Sequence, residues 1–302
     1  MVNLTTKISS INLRNPTILA SGIMDEDAGS MKRIFDCDAS AVVTKSIGLK
    51  PRVGYPNPTF VELEHGILNA MGLPNPGIDE FREEIKVLKD SNVTVIGSIF
   101  GSNSSEFIKL SEKMNIYGVD ALELNMSCPH AKGYGLEIGS DSKLVKEITS
   151  KVKESSNIPI FVKLSSNLTD IVEIAKSAEK GNADGIVAIN SVKAMKINLD
   201  MKMPLLANIT GGYSGKAIKP IGIRCVYDIA KNVNIPIIGV GGITTGEDAL
   251  EYIMAGASAI QIGTGIYYRG VDIFKKVCME IEDWMKDHNY KTLSELIGAV
   301  HK

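Results

Sequence analysis

The sequence predicts a single α/β domain of the (β/α)8 TIM-barrel type. Short apolar runs rich in Val and Ile alternate with longer segments that carry helical spacing and many charges, which is typical of α/β proteins. Eight such runs occur, the number that closes a parallel barrel. The 302 residues contain no Gly/Ser-rich linker, low-complexity tract or fixed-period repeat. We therefore treat residues 1–302 as one domain, a length that such barrels commonly reach.

The predicted elements follow this pattern along the chain. Residues 4–14 alternate between polar and apolar side chains, which predicts a short N-terminal hairpin closing the bottom of the barrel. Each later apolar run is nearly continuous, as expected for parallel strands covered on both faces. The eight predicted strands are 17–23 (TILASGI), 41–47 (AVVTKSI), 94–100 (TVIGSIF), 121–127 (ALELNMS), 159–165 (PIFVKLS), 185–191 (GIVAINS), 236–242 (PIIGVGG) and 259–265 (AIQIGTG).

Polar and glycine residues gather in the second half of these strands, at the end where a barrel places its catalytic face. Two long connections, 49–75 after the second strand and 192–220 after the sixth, should emerge at the same face. Long ordered connections in compact domains are often binding loops or lids. The polar and glycine residues are Ser21, Lys45, Ser98, Asn125, Lys163, Asn190, Gly241 and Gly263.

Composition favours a small-molecule ligand. Lys and Arg number 33 and Asp and Glu 35, so the net charge provides no strong field for nucleic acid or an anionic membrane. The sequence has no run of eighteen apolar residues, and its first ten residues are too polar for a signal peptide, so we expect a cytoplasmic protein. Its four cysteines are far apart and form no C-x-x-C pair, which argues against a metal or iron–sulfur site.

The segments 239–249 and 262–268 follow the seventh and eighth strands, where barrels recurrently bind phosphate. Their glycines allow close approach of backbone N–H groups to an anion, and a helix N-terminus would add its positive end. Thr264 could donate a hydroxyl. Either segment alone fits a tight turn equally well; together they predict a phosphate ligand, belonging to FMN or to a sugar phosphate.

Cys128 follows the fourth strand directly, at the catalytic rim and before a glycine-rich loop. Most isolated cysteines are buried structural thiols, but this position favours a nucleophile or general base. A thiol titrates near pH ~8.5 when unperturbed, and nearby cations would lower that value.

Lys45 and Lys163 end otherwise apolar strands. Either lysine could extend to solvent, but lysines pointing into the barrel require an anionic partner. A reduced flavin and a substrate carboxylate would supply two. Asn69, Asn125 and Asn190 add amides that donate and accept hydrogen bonds, which suits a pyrimidine ring.

These residues resemble a known family, the class 1 dihydroorotate dehydrogenases. The resemblance covers nearly the whole chain, and its motifs occur in the same order. SCP and NAMGLPNPG are specific to this family and its near relatives, whereas GVGGI and IQIGTG occur in many barrels. The matching segments are TKSIGLKPRVGYPNPTFVELEHGILNAMGLPNPG, ELNMSCPHAKGYGLEIGSD, IPIFVKLSSN, GGYSGKAIKP, GVGGI and IQIGTG.

The resemblance implies that Cys128 takes a proton from C5 of dihydroorotate while a hydride passes from C6 to FMN. It also implies that the segment after Cys128 is a lid over the substrate. By the same resemblance, the substrate contacts are Lys45, Asn69, Met71, Gly72, Leu73, Asn125, Asn190 and Ser191. The FMN contacts are Ser21, Lys45, Ser46, Asn125, Lys163, Ile189, Gly215, Gly241, Gly242, Gly263 and Thr264.

The cysteine base separates the chain from the membrane-associated class, whose base is serine, and the GYGLEIGSD segment resembles the NAD-linked B subtype more than the fumarate-using A subtype. The B subtype implies a partner subunit with FAD and an iron–sulfur cluster, on a homodimer core within a heterotetramer. Two positions depart from the commonest pattern: His130 and Ser98 each stand where many relatives have asparagine. Three alternatives stay open: a flavin barrel that reduces uracil or thymine, a flavin-free aldolase or isomerase using Lys163 as a Schiff-base amine, and a non-catalytic binding subunit.

Overall fold

A computed structural model describes residues 2–127, 136–168 and 170–301. Eight parallel strands close into a barrel, which confirms the predicted fold class. The strands in chain order are β1 (Thr6–Ile8), β2 (Ile11–Leu13), β3 (Thr17–Leu19), β4 (Ala41–Val43), β5 (Phe60–Leu63), β6 (Gly66–Asn69), β7 (Val95–Ile99), β8 (Ala121–Asn125), β9 (Ile160–Leu164), β10 (Gly185–Ala188), β11 (Val192–Ala194), β12 (Ile197–Asn198), β13 (Met203–Pro204), β14 (Gly211–Ser214), β15 (Ile237–Val240) and β16 (Ala257–Ile262).

The barrel strands are β3, β4, β7, β8, β9, β10, β15 and β16, joined in that order. Each overlaps one of the eight predicted runs, although most are shorter because the polar ends of the runs leave the sheet. The helices are α1 (Ala28–Asp36), α2 (Arg82–Asp90), α3 (Ser104–Tyr117), α4 (Leu136–Gly139), α5 (Ser142–Ser155), α6 (Ile171–Lys180), α7 (Lys219–Ala230), α8 (Gly246–Met254), α9 (Gly265–Arg269) and α10 (Ile273–Asp287), with 3-10 turns at Lys216–Ile218, Leu293–Glu295 and Ala299–His301.

The helices pack their apolar faces against the outside of the barrel. In α10, for example, Ile273, Val277 and Ile281 are spaced by one turn and are fully buried. Helix starts carry local caps: the Asp27 side chain accepts a hydrogen bond of 2.8 Å from Ser30 N at the start of α1. Among the described residues, no helix has the length and apolar character needed to cross a bilayer.

The lower half of the barrel interior is apolar. Ile96, Ala121, Phe161 and Ala259 belong to one buried cluster inside the strands. Ile8 and Leu13 of the β1–β2 hairpin pack into the same cluster, in which Leu13 is 2% exposed. The predicted hairpin is therefore confirmed, and it seals the end of the barrel opposite the expected catalytic face.

The upper half of the interior is polar. Side chains two positions apart on a strand point to the same face, so the next inward layer on β7, β8, β9 and β16 comes two residues later. Those residues are Ser98, Glu123, Lys163 and Gln261, and all four are buried. The change from an apolar to a polar layer defines the floor of a site.

The two long connections, predicted only as loops, fold together into one antiparallel sheet in the order β11-β14-β6-β5. Asn69 at the end of β6 pairs with Gly212 in β14, which brings the second and sixth connections side by side. Buried Leu68, Ala70 and Leu206 form a small core of their own beneath this sheet. The sheet forms one wall at the mouth of the barrel.

Candidate active site

A cavity of about 530 Å³ opens where the barrel strands end, within the size range of small-molecule sites. The side chains and turns that follow β3, β4, β8, β10, β15 and β16 line it. Apart from Cys128, every site residue predicted from the sequence lies in its walls: Ser21, Lys45, Ser46, Asn69, Met71, Gly72, Leu73, Asn125, Lys163, Ile189, Asn190, Ser191, Gly215, Gly241, Gly242, Gly263 and Thr264.

Cys128, His130 and the predicted lid lie outside the described residues. The thiols that are described offer a comparison. Burial raises the pKa of Cys225, and it raises the pKa of Cys278 to about 12. Burial thus disfavours the thiolate form of both side chains. Within the described ranges, no group of three or more His, Cys, Asp or Glu side chains is placed to hold a metal ion.

Each of the two lysines has a carboxylate partner in the protein. Lys45 Nζ donates to Glu26 Oε1 at 3.0 Å, and Lys163 Nζ donates to Glu123 Oε1 at 3.1 Å. The protein itself therefore supplies an anionic partner for each lysine, and the sequence analysis did not assign this role to either carboxylate.

The two ion pairs differ in their surroundings. The Glu26 side chain is 68% exposed, so water screens its attraction to Lys45 and a bound anion can replace it. Glu123 is fully buried, and its pair with Lys163 belongs to the barrel interior. Of the two cations, Lys45 is the one that a substrate carboxylate can reach at small cost.

Hydroxyl and amide groups form a continuous network beside Lys45. Ser46 Oγ lies 2.8 Å from Ser98 Oγ and accepts a 2.9 Å hydrogen bond from Asn125 Nδ2. Ser127 Oγ donates to Asn125 Oδ1 at 3.3 Å and accepts from Asn190 Nδ2 at 2.9 Å. These bonds fix which end of each amide donates and which accepts. Ser98, one of the two departures, therefore holds Ser46 in place.

Another part of the cavity wall comes from the connection after the second barrel strand, residues 49–75. Gly72 and Leu73 both adopt left-handed backbone conformations, with φ of 78° and 58°. Arg52 Nε donates to Gly72 O at 2.6 Å, which ties this turn to the rest of the connection. Asn69 Nδ2 donates to Gly212 O at 3.4 Å. The pairing of β6 with β14, which the sequence did not predict, therefore positions the amide that was predicted to face the substrate.

The turn after β15 requires glycine for its own folding. Gly242 has φ of 71°, and an added Cβ would lie 2.8 Å from Lys219 Cβ. Tyr252 Oη donates to Gly241 O at 2.7 Å and holds the turn from below. These glycines would be needed here whether or not an anion binds.

Gly263, after β16, is different. An added Cβ would come no closer to the protein than 3.5 Å, at Ala20 Cβ, and the φ of Gly263 lies outside the left-handed region. The fold does not need glycine at this position, yet the residue lines the cavity. A ligand that approaches the backbone closely, such as a flavin phosphate, fits this arrangement.

Of the helix N-termini in the two glycine-containing segments, that of α8 is already occupied by side chains of the protein. Thr244 N and Thr245 N both donate to Asp248 Oδ2, at 2.8 and 2.9 Å, and Gly246 N donates to Glu280 Oε2 at 2.6 Å. Burial raises the pKa of Asp248, but hydrogen bonds from Lys219 and Thr244 outweigh burial and lower it overall. Carboxylates of the protein therefore already occupy this helix end.

Asp25, which the sequence favours only as part of the turn before the first helix, is buried at the edge of the cavity. Its Oδ2 accepts hydrogen bonds from Gly22 N at 2.5 Å and from Ser21 Oγ at 3.3 Å. Its Oδ1 has no hydrogen-bond partner among the described residues. Burial raises the pKa of this carboxyl above its ordinary value.

The chain is similar to known proteins over nearly its whole length. The family profile for dihydroorotate dehydrogenase matches residues 3–285. The dihydroorotate dehydrogenase B (NAD(+)), catalytic subunit, of Methanocaldococcus jannaschii is 54% identical over 303 residues, covering 99% of this chain and 98% of the relative. The protein of the same name from Thermoplasma acidophilum is 51% identical and covers 99% of both chains.

A solved structure agrees on the fold. The crystal structure of DHODH in complex with ferulenol, from Eimeria tenella, matches with a TM-score of 0.86 at 23% identity and covers 99% of this chain and 89% of that one. At this identity the similarity demonstrates the shared barrel alone. From the family profile and the full-length relatives, we conclude that the chain belongs to the dihydroorotate dehydrogenase family.

Proposed function

We propose that this chain oxidises dihydroorotate to orotate in de novo pyrimidine biosynthesis in the cytoplasm, with FMN as its flavin. One observation carries the proposal: a single cavity contains a replaceable cation, oriented amides and an open glycine turn, at the end of the barrel where active sites form. The membership of the chain in the dihydroorotate dehydrogenase family supports the same reaction.

The FMN phosphate would lie at the turns after β15 and β16, against Gly242, Gly263 and Thr264. Thr264 Oγ1 donates to Ser214 Oγ at 2.8 Å, and this hydrogen bond holds the threonine at the cavity wall. Lys163 would hold the flavin ring from the barrel floor, and Ser46 would support it from the side. When bound, FMN supplies a two-electron acceptor for the hydride that leaves C6 of dihydroorotate.

Lys45 would bind the substrate carboxylate, which takes the place of the Glu26 carboxylate. The amides of Asn69, Asn125 and Asn190 would pair with the alternating C=O and N–H groups of the pyrimidine ring. Cys128 would accept the C5 proton as its thiolate, and the electrons of that C–H bond would form the C5=C6 double bond as the hydride departs. The oxidation is thus divided between one side chain and the flavin.

We also propose that the electrons leave through a partner subunit that contains FAD and an iron–sulfur cluster and reduces NAD, on a homodimer core. The relatives are named as catalytic subunits, which supports a partner. The chain also exposes large apolar side chains on and beside the β12–β13 ribbon, as interface surfaces do. They are Met195, Ile197, Leu199, Met201 and Met203, each at least 45% exposed.

The test is anaerobic. The purified chain is supplied with FMN, its visible spectrum is recorded, and dihydroorotate is added. Bleaching of the flavin band supports the proposal, and NAD reduction after addition of the partner would extend it. A flavin that responds to dihydrouracil but not to dihydroorotate would favour the neutral-pyrimidine alternative. Failure to bind FMN, with inactivation by borohydride only in the presence of a carbonyl substrate, would favour the aldolase alternative.

A further inference from the structure

Three side chains on the barrel floor form a closed ring of hydrogen bonds. Lys163 Nζ donates to Glu123 Oε1 and to Gln261 Oε1, at 3.1 Å each. Gln261 Nε2 completes the ring by donating to Glu123 Oε2 at 2.7 Å. Lys163 is 5%, Glu123 0% and Gln261 1% exposed, and all three line the cavity.

This ring gives each member a defined role. An ammonium group has three donors, so the two acceptors leave one N–H of Lys163 for a ligand in the cavity. Gln261 uses both ends of its amide, which fixes its orientation and that of the Glu123 carboxylate. The ring carries one positive and one negative charge, so it presents no net charge to the cavity floor.

We infer that Glu123 and Gln261 are positioning residues that act through Lys163 to set the reduction potential of the bound flavin. The inference rests on the proposed function, because it needs FMN above the ring. Lys163 alone would favour the negatively charged reduced flavin strongly. Glu123 offsets that charge, so the flavin keeps a potential low enough to pass its electrons onward.

If the ring had only a structural role, its variants would change the stability of the chain and not the flavin potential. Removing a partner from a buried ion pair destabilises a protein whatever the ligand does. In that case the ring variants would have a lower unfolding temperature in the FMN-free chain. The flavin potential would not shift in the direction expected from the added or removed charge. The potential therefore distinguishes the two roles, and thermal unfolding of the FMN-free chain measures the structural part.

The experiment uses two single variants and their combination, each loaded with FMN and titrated for its midpoint potential. Glu123→Gln removes the negative charge, so we expect the reduced form to be favoured at least tenfold, about 30 mV for a two-electron couple. Gln261→Glu adds a negative charge and should shift the potential in the opposite direction. The double variant keeps one carboxylate and one amide around Lys163, so its potential should return towards the wild-type value.

Asp120→Asn is the matched control. Asp120 immediately precedes β8, at the end of this strand that is farther from the cavity. Its Oδ2 accepts hydrogen bonds from Lys89 and from Val95 N. The same carboxylate-to-amide change there should lower the unfolding temperature and leave the flavin potential unchanged.

Unchanged potentials in all three ring variants, with a wild-type chain that binds FMN and is reduced by dihydroorotate, would overturn this inference alone. A wild-type chain that binds no flavin would overturn the proposed function and this inference with it. If one single variant does not fold, the other decides, because each is expected to shift the potential in a direction fixed by its change of charge. A shift in that direction supports the inference, and an unchanged potential overturns it.

Discussion

Replacing Gly263 by alanine tests the phosphate site without disturbing the fold. The new methyl group would have Ala20 Cβ at 3.5 Å as its nearest protein neighbour, which is an ordinary van der Waals contact. The φ of Gly263 lies outside the left-handed region that disfavours alanine. Because the residue lines the cavity, the methyl group would instead occupy the space that we propose for the FMN phosphate.

The two expected effects have opposite signs. A glycine-to-alanine change at a compatible position stabilises a chain by about 0.4–1 kcal/mol, because the unfolded state loses freedom. A hydrogen bond to a charged group contributes about 1.5–3 kcal/mol. Displacing the phosphate from one backbone N–H should therefore weaken FMN binding by roughly 10- to 150-fold.

The assay measures the FMN dissociation constant by fluorescence and the unfolding temperature of the FMN-free chain. Gly242→Ala is the contrasting variant, because its Cβ would lie 2.8 Å from Lys219 Cβ and its φ is 71°. It should lower the unfolding temperature as well as the FMN affinity. Wild-type FMN affinity in Gly263→Ala would refute the phosphate placement, and a lowered unfolding temperature would refute the packing argument.

Three further predictions concern the reacting end of the cavity. Cys128→Ser should retain FMN but lose most dihydroorotate oxidation, while Cys37→Ser, outside the cavity, should remain active in the same anaerobic assay. Glu26→Gln should lower the KM for dihydroorotate by up to about fivefold at constant kcat, because the exposed carboxylate no longer competes for Lys45; a raised KM would contradict this. Burial raises the pKa of Asp25, so the contribution of this carboxyl to the unfolding free energy should fall as pH rises from its ordinary pKa through the raised one. The difference in unfolding free energy between the FMN-free wild type and Asp25→Asn should therefore decrease over that range, and a difference that does not change with pH would contradict this.

The sequence predicted the barrel well because the signal for each strand is local. An apolar run such as Ile160–Leu164 indicates a buried strand without knowledge of its neighbours. The order of the strands then follows, because parallel strands of a barrel pair with their successors. Even the N-terminal hairpin could be predicted, since both of its strands lie within residues 4–14.

The sheet at the mouth of the barrel could not be predicted in the same way. Its central pair joins β6 to β14, which are separated by more than 140 residues, through contacts such as Leu68 with Tyr213. Neither segment has a long apolar run, since the sheet buries only a small core. Pairing between distant, half-exposed segments depends on register, and register is weakly specified where little surface is buried.

Glu123 and Gln261, which the sequence analysis did not identify, could have been found from the alternation of side chains along a strand. Asn125 and Lys163 were recognised as polar ends of apolar strands, but only Glu123 and Gln261 make Lys163 compatible with a buried floor. Side chains two residues apart on a strand share a face. In ALELN, a functional Asn125 therefore places Glu123 one layer below it, inside the barrel. A buried glutamate there requires a cation, and Lys163 on the adjacent strand β9 is the one that contacts it. Interior polar residues of such a barrel are best read as layers across neighbouring strands, since the charge balance that decides their chemistry lies between strands.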